Sequence, residues 1–174
     1  MIELLILYVL TRKELTMYAV LKAIMDNFAA YTQPSFGAIK PALTRLEKEG
    51  FIRSRKAMSD GGKLSGFYSI TPEGKEELKR LLLEKLSNNP LQFNSASKIK
   101  LSCASYLAKD ERNELFSQVK TKALEHKYTA ENTLENESNS LSFYQKIILD
   151  NSICEYKNFI SIIEGLEKEN GRNS

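Results

Sequence analysis

Lys40, Thr44, Arg45 and Lys48 lie within one short stretch, Phe36 to Lys48, at positions a helix turns away from its apolar side. All four side chains can donate hydrogen bonds and three are cationic, which suits phosphate oxygens and the acceptor edge of guanine. Ile39, Leu43 and Leu46 fall at i, i+4 and i+7, so they form the single apolar stripe by which such a helix is anchored. Ser35 is placed to cap the helix with its hydroxyl, and Gly50 suits the left-handed residue that closes it. Pro41, inside the stretch, is expected to loosen or kink the first turn and a half. A helix held on one face and basic off that face has the shape that enters a DNA major groove. The same pattern, taken alone, also describes an ordinary solvated surface helix, so the elements around it must decide.

The residues after Gly50 narrow the choice. Phe51 to Met58 is apolar at both ends and reads as a strand. Ser59-Asp60-Gly61-Gly62-Lys63 is built from turn residues, and Leu64 to Ile70 supplies a second strand with Gly66, Tyr68 and Ile70 on one side. Thr71 then caps another helix with Pro72 at its first position, where a missing N–H costs nothing. Upstream, Ile2 to Leu10 reads as a short buried helix, and a second helix opens at Leu15 and runs to about Ala30, with Val20, Ile24 and Phe28 inward. Pro34 keeps Gln33 out of the helical region and so separates that helix from the next. Helices, a basic Gly-rich hairpin and a further helix make a winged helix-turn-helix, whose core is expected to hold Leu4, Leu7, Ile24, Leu43, Leu46, Ile52 and Tyr68.

The net charge of +3 is too small to imply a nucleic-acid partner by itself, but its distribution is informative. Residues 1–86 carry 14 Lys/Arg against 10 Asp/Glu, while residues 87–174 carry 11 against 12. Residues 35–63, with 7 against 3, hold the whole positive excess of the first part. That is the footprint of a phosphate-binding face. No phosphate loop, Gly-x-Ser-x-Gly elbow or His-carboxylate cluster is present, so the chain is not read as an enzyme. His126, alone between Glu125 and Lys127, is expected to be exposed, and Cys103 and Cys154 have no metal-like spacing. No metal or other cofactor is expected. The two cysteines read as buried or half-buried free thiols of a cytoplasmic protein, and no apolar run approaches the ~20 residues of a membrane span.

The helix from Pro72 fades at Ser87-Asn88-Asn89-Pro90, a polar stretch taken as the boundary between a DNA-binding domain, 1–88, and a helical domain, 89–174. Lys98 to Leu107 reads as one helix of the second part. Lys109-Asp110-Glu111 starts a long one with Phe116, Val119, Ala123 and Ala130 at helical spacing, and Asn132 to Ser140 reads as a bend. A last helix from Leu141 carries Tyr144, Ile148, Phe159, Ile162, Ile163 and Leu166. Two long amphipathic helices with so little to cover them are expected to dimerise. The fold class is therefore mainly α, an N-terminal winged helix-turn-helix followed by a C-terminal α-helical dimerisation domain.

Pro34-Ser35-x-Gly37-x-Ile39-x-Pro41-Ala42-Leu43-x-x-Leu46-Glu47-x-x-Gly50-x-Ile52 resembles the recognition-helix signature of the PadR family of transcriptional regulators. Tyr68-x-Ile70-Thr71-x-x-Gly74-x-x-x-Leu78 and Leu15-x-x-Tyr18 fit the same family, so the resemblance covers roughly residues 2–86. The remaining ~85 residues resemble the longer subgroup, whose helical C-terminal domain forms the dimer. The chain departs from the pattern at Lys40, where a tyrosine is usual, at Thr16-Met17, where a His-Gly pair is usual, and at Thr32, where an aromatic is usual. The resemblance implies a dimeric repressor that binds double-stranded DNA and is often released by a small-molecule effector.

Each candidate residue has an expected role. Lys40, Thr44 and Arg45 are expected in the major groove, with Lys48 on phosphate. Ser35 and the N–H groups at its helix start are expected near a phosphate as well. Lys63 at the wing tip is expected at the minor groove, and Tyr18 resembles the family's phosphate-contacting tyrosine. Arg53, Arg55 and Lys56 read equally as solvated strand charges or DNA contacts. The rival reading is a winged helix that serves as a protein-interaction module without specific DNA binding.

Overall fold

The computed structural model describes residues 1–58, 62, 64–136 and 140–172. The wing-tip residues 59–61 and Lys63 lie outside the described residues, as do 137–139 within the expected bend. The chain packs as two units, Met1–Glu84 with Lys98–Tyr106, and Lys85–Ser97 with Leu107–Ser174.

The first unit is built around α1 (Ile2–Leu10), in which Leu4, Leu5, Ile6, Leu7, Val9 and Leu10 are all buried. A helix apolar on nearly every side must be covered on nearly every side. Here α2 (Met17–Phe28), α3 (Phe36–Lys48) and α4 (Pro72–Leu83) cover it. Between α1 and α2 the chain differs from the sequence reading. Leu15–Thr16 is not helical but a two-residue strand, β1, paired antiparallel with Tyr68 and Phe67. The Thr16 hydroxyl accepts from Ala19 N at 3.3 Å and starts α2 two residues later than Leu15. A threonine that caps a helix cannot also sit inside it. The wing is β2 (Ile52–Met58) and β3 (Leu64–Ile70), and the sheet order β1-β3-β2 makes it three-stranded rather than a bare hairpin.

Leu4, Leu7, Ile24, Leu43, Leu46 and Ile52 are buried as expected, but Tyr68 is only half-buried. Along β3, Leu64 and Gly66 are exposed while Ser65 and Phe67 to Ile70 are all intermediate, so the one-sided burial suggested by the spacing of Gly66, Tyr68 and Ile70 is not kept. The closure of the hairpin at its Ile52–Ile70 end is specific. Thr71 Oγ1 donates to the Gly50 carbonyl at 2.8 Å and accepts from Gly74 N at 3.0 Å, while Thr71 N donates to the Phe51 carbonyl at 3.0 Å. Gly50, with φ +80°, turns the chain out of α3 into that junction.

The Ser87–Pro90 stretch is the start of a helix, α5 (Pro90–Ser102), and not only a linker. The Asn89 side-chain oxygen accepts from Leu91 N and Gln92 N at 3.0 and 3.2 Å, and Pro90 occupies the first helical position. The helix expected over Lys98 to Leu107 therefore begins earlier, and ends at Ser102 before a 3-10 turn over Ala104–Tyr106. Lys100 is buried in the first unit, with Nζ donating to the Glu84 carbonyl, and burial pushes its pKa down to about 8.

In the second unit α6 (Lys109–Asn136) and α7 (Phe143–Arg172) run antiparallel. Glu111 reaches back to Ala108 N at 2.7 Å to close the start of α6, so the acidic first turn does cap it. Asn132 to Asn136, read as part of a bend, is helical. Leu115, Phe116, Val119, Ala123 and Ala130 of α6 are buried, as are Ile153, Tyr156 and Ile163 of α7. Asn170 locks the open end, taking Arg112 Nε at 2.7 Å and donating to the Lys109 carbonyl and Asn113. Of the apolar residues carried by α7, Ile163 is buried and Phe159 half-buried, whereas Tyr144, Ile148, Ile162 and Leu166 are exposed.

His126 is not exposed as expected. Its ring stacks on Tyr156 at 5.7 Å and lies 4.9 Å from Phe93, with Nε2 buried and without a hydrogen-bond partner. Helical neighbours Glu125 and Lys127 suggested solvent, but position 126 turns toward α7. Burial, then Lys122, lower its pKa below the ordinary histidine value, more than Glu125 raises it. A base with a depressed folded pKa binds its proton more readily when unfolded, so stability falls as pH drops from about 6.5 through the folded value. His126→Phe should flatten that part of the stability profile, read by urea unfolding between pH 7 and 5. An unchanged slope would locate the acid sensitivity elsewhere.

Cys103 is buried and its thiol pushed up to about 12 by burial, whereas Cys154 is exposed on α7, against the expectation that both thiols are buried or half-buried. Only the thiolate reacts quickly with disulfide reagents. In native protein at pH 8, one thiol, Cys154, should react, and Cys103 only on unfolding. Release of two equivalents at one rate would contradict this.

Candidate nucleic-acid interface

On α3 the buried side is Ile39, Ala42, Leu43 and Leu46. At 3.6 residues per turn, Gly37, Lys40, Pro41, Thr44 and Lys48 then share an arc of about 100° on the opposite side. All five are exposed. The helix is continuous from Phe36 through Pro41 to Lys48, so the proline costs the Gly37 carbonyl its i+4 donor without ending the helix. Lys40 and Lys48 make no ion pair with the described residues. The Thr44 hydroxyl donates back to the Lys40 carbonyl at 3.1 Å, which leaves it free to accept.

Ser35 is the N-cap residue of α3, but its hydroxyl makes no cap bond, contrary to expectation. Its carbonyl instead takes Ala38 N and Ile39 N at 3.0 and 3.1 Å. The hydroxyl and the first N–H groups of the helix stay open toward solvent, the usual setting of an anion at a helix start. Tyr18, near the start of α2, is 66% exposed, with its ring 6.1 Å from that of Phe36. Phe36 is itself exposed, and its pairing with Tyr18 carries no signal in the sequence, because it joins two helices.

Arg45 is placed differently from its neighbours. Nε and Nη2 both reach Glu3 Oε1 of α1, at 2.9 and 2.8 Å. It sits on the flank of α3 that faces α1, outside the arc of Lys40, Thr44 and Lys48. On the wing, Arg55 is paired with Glu14 and lies over the Phe67 ring at 5.4 Å, and this guanidinium holds the Glu14 carboxyl below its ordinary value. Arg53 and Lys56 are exposed on β2. The structure therefore brings Tyr18, Ser35, Lys40, Thr44 and Lys48 to the open side of one unit and ties Arg45 and Arg55 to carboxylates. Neither acid could be found by spacing, since Glu3 and Glu14 are 42 and 41 residues from their partners.

Three helices, a short strand and a hairpin wing closed by a capped fourth helix define a winged helix-turn-helix. Residues 6–80 match the model of the transcriptional regulator PadR-like family. No curated protein matches the chain. Among solved structures it is similar to Bacillus subtilis PadR in complex with operator DNA, at 21% identity over 97% of this chain and 98% of that one, with a TM-score of 0.44. It is similar to smu.1604c of Streptococcus mutans at 25% identity over 94% and 96%, TM-score 0.44. It is similar also to the PadR-like regulator BC1756 of Bacillus cereus at 21% identity over the full length of both, TM-score 0.44. Among the described residues, no helix is long and apolar enough to cross a membrane.

Proposed function

We propose that this chain is a PadR-family regulator, a homodimeric repressor that reads a palindromic operator in double-stranded DNA through α3. The observation that carries the reading is the outward arc of α3, where Lys40 and Lys48 stand clear of internal carboxylates beside the exposed Tyr18. Cations already neutralised within the protein gain little from phosphate, whereas unpaired ones release counterions on binding. Lys40, in the N-terminal half of α3, and Thr44, one turn further on the same arc, are assigned to base edges. Lys48, Tyr18, Ser35 and Lys63 are assigned to phosphate or groove borders.

A palindrome needs two copies. Residues 1–88 form the DNA-binding domain in this reading, and residues 89–174 join the protomers, with Tyr144, Ile148, Ile162 and Leu166 as an exposed apolar side of α7 available for it. Two recognition helices must sit about 34–36 Å apart to occupy successive major grooves, so an effector that changed their separation would release the operator. Anisotropy titration with a duplex from the protein's own upstream region, beside a scrambled duplex and at several salt concentrations, tests the reading. Tight, salt-sensitive binding that prefers the native duplex is expected. Absence of salt-sensitive binding on both duplexes would overturn it in favour of a protein-interaction module.

A further inference from the structure

Glu3 is the acidic residue in the first turn of α1. It spends one carboxylate oxygen on both Nε and Nη2 of Arg45, at 2.9 and 2.8 Å. The pair is half-open to solvent, with 54% and 32% of the two side chains exposed. Such a pair adds little to stability, so holding the fold together is a poor account of it. Its position says more. Arg45 is one turn beyond Pro41 on the same helix as Lys40, Thr44 and Lys48, with a side chain long enough to swing from the α1 flank toward a strand lying along α3.

We propose that Glu3 is a specificity-determining residue of the DNA-reading surface: by holding Arg45 against α1 it keeps that guanidinium off phosphate. The proposal rests on the DNA-reading function above. A free arginine beside a recognition helix adds affinity for every sequence alike, because phosphates carry no sequence information. The Glu3 carboxylate also repels the backbone it faces. Restraint and repulsion both lower binding to random DNA more than binding to an operator, whose base contacts fix the register through Lys40 and Thr44. The surface thus forgoes one phosphate contact and gains discrimination.

The test compares the full-length protein with Glu3→Gln, Arg45→Gln and the double variant, on the upstream and scrambled duplexes across salt. Glu3→Gln should tighten binding to the scrambled duplex about tenfold and to the upstream duplex about threefold, with the salt slope steeper by about 1. Arg45→Gln alone should stay within twofold of the parent, and the double variant should return to the parent slope. A tenfold loss in Arg45→Gln would show that Arg45 already contacts DNA and would overturn the proposal. So would a Glu3→Gln protein with parental affinity and slope. If the parent itself shows no salt-sensitive binding to either duplex, the DNA-reading function fails, an outcome separable from both because it needs no variant.

Discussion

Gly74→Ala should destabilise the protein by about 3 kcal/mol and lower its melting temperature by about 10 °C. A Cβ at Gly74 would stand 2.0 Å from the Phe51 carbonyl oxygen and 2.9 Å from Ile70 Cγ1. The first neighbour is backbone, so the clash cannot be relieved by turning a flexible side chain. The same carbonyl accepts Thr71 N at 3.0 Å, and Gly74 N itself donates to Thr71 Oγ1 at 3.0 Å. Moving α4 away to make room would therefore pull on three hydrogen bonds that also fix Gly50 and the exit of α3. The penalty should appear in function too, as loss of DNA binding at temperatures the parent tolerates. Gly165→Ala supplies the contrast, since a Cβ there meets nothing within 4 Å and lies within α7. Alanine should stabilise that helix by about 0.5–1 kcal/mol. Equal melting points for Gly74→Ala and the parent, measured by circular dichroism, would remove the close-approach argument.

Gly74 also shows how far this fold could be read in advance. The resemblance of the Tyr68-to-Leu78 segment marked it, yet only the packed structure gives the reason, the Phe51 carbonyl lying under the first turn of α4. Elements whose signals are local were legible: α3 between Ser35 and Gly50, α4 after Thr71, α6 after an acidic first turn. Elements that depend on distant partners were not. Leu15–Thr16 looks helical until β3 is beside it to pair with, and Asn89-Pro90 reads equally as a linker and as a cap. The candidate site divides the same way. Lys40, Thr44 and Lys48 were placed by helical period alone, because the apolar stripe fixes the opposite side. Arg45 was grouped with them because it too lies off the apolar stripe, and its pairing with Glu3 comes from how α1 crosses α3, which no spacing encodes. His126 was misplaced for a related reason, since its flanking charges are local while its aromatic neighbours Phe93 and Tyr156 are 33 and 30 residues away.

Lys40→Met and Lys48→Met together should lower affinity for the upstream duplex by about a hundredfold at low salt and flatten the salt slope by about 2. Each removes one exposed cation that has no ion pair among the described residues, at positions where surface changes cost the fold within about 0.5 kcal/mol. Loss of binding could not then be laid to unfolding. Methionine keeps the aliphatic stem, so the charge is what the experiment removes. The single variants should differ in kind. Lys40 lies near the start of α3, the part of a recognition helix that reaches base edges, and stands where the PadR signature that the stretch resembles usually has tyrosine. Its loss should reduce the preference for the upstream over the scrambled duplex about tenfold, the scale of one base contact. Lys48 lies in the last turn, nearer the backbone of a duplex threaded along the helix. Its loss should weaken both duplexes by a similar factor, leaving preference intact and the slope lower by about 1. If Lys48→Met alone changed preference, α3 would lie in the groove with its other end inward. If neither variant changed the slope, the cations of α3 would not face DNA at all, and the wing strand with Arg53 and Lys56 would become the binding surface.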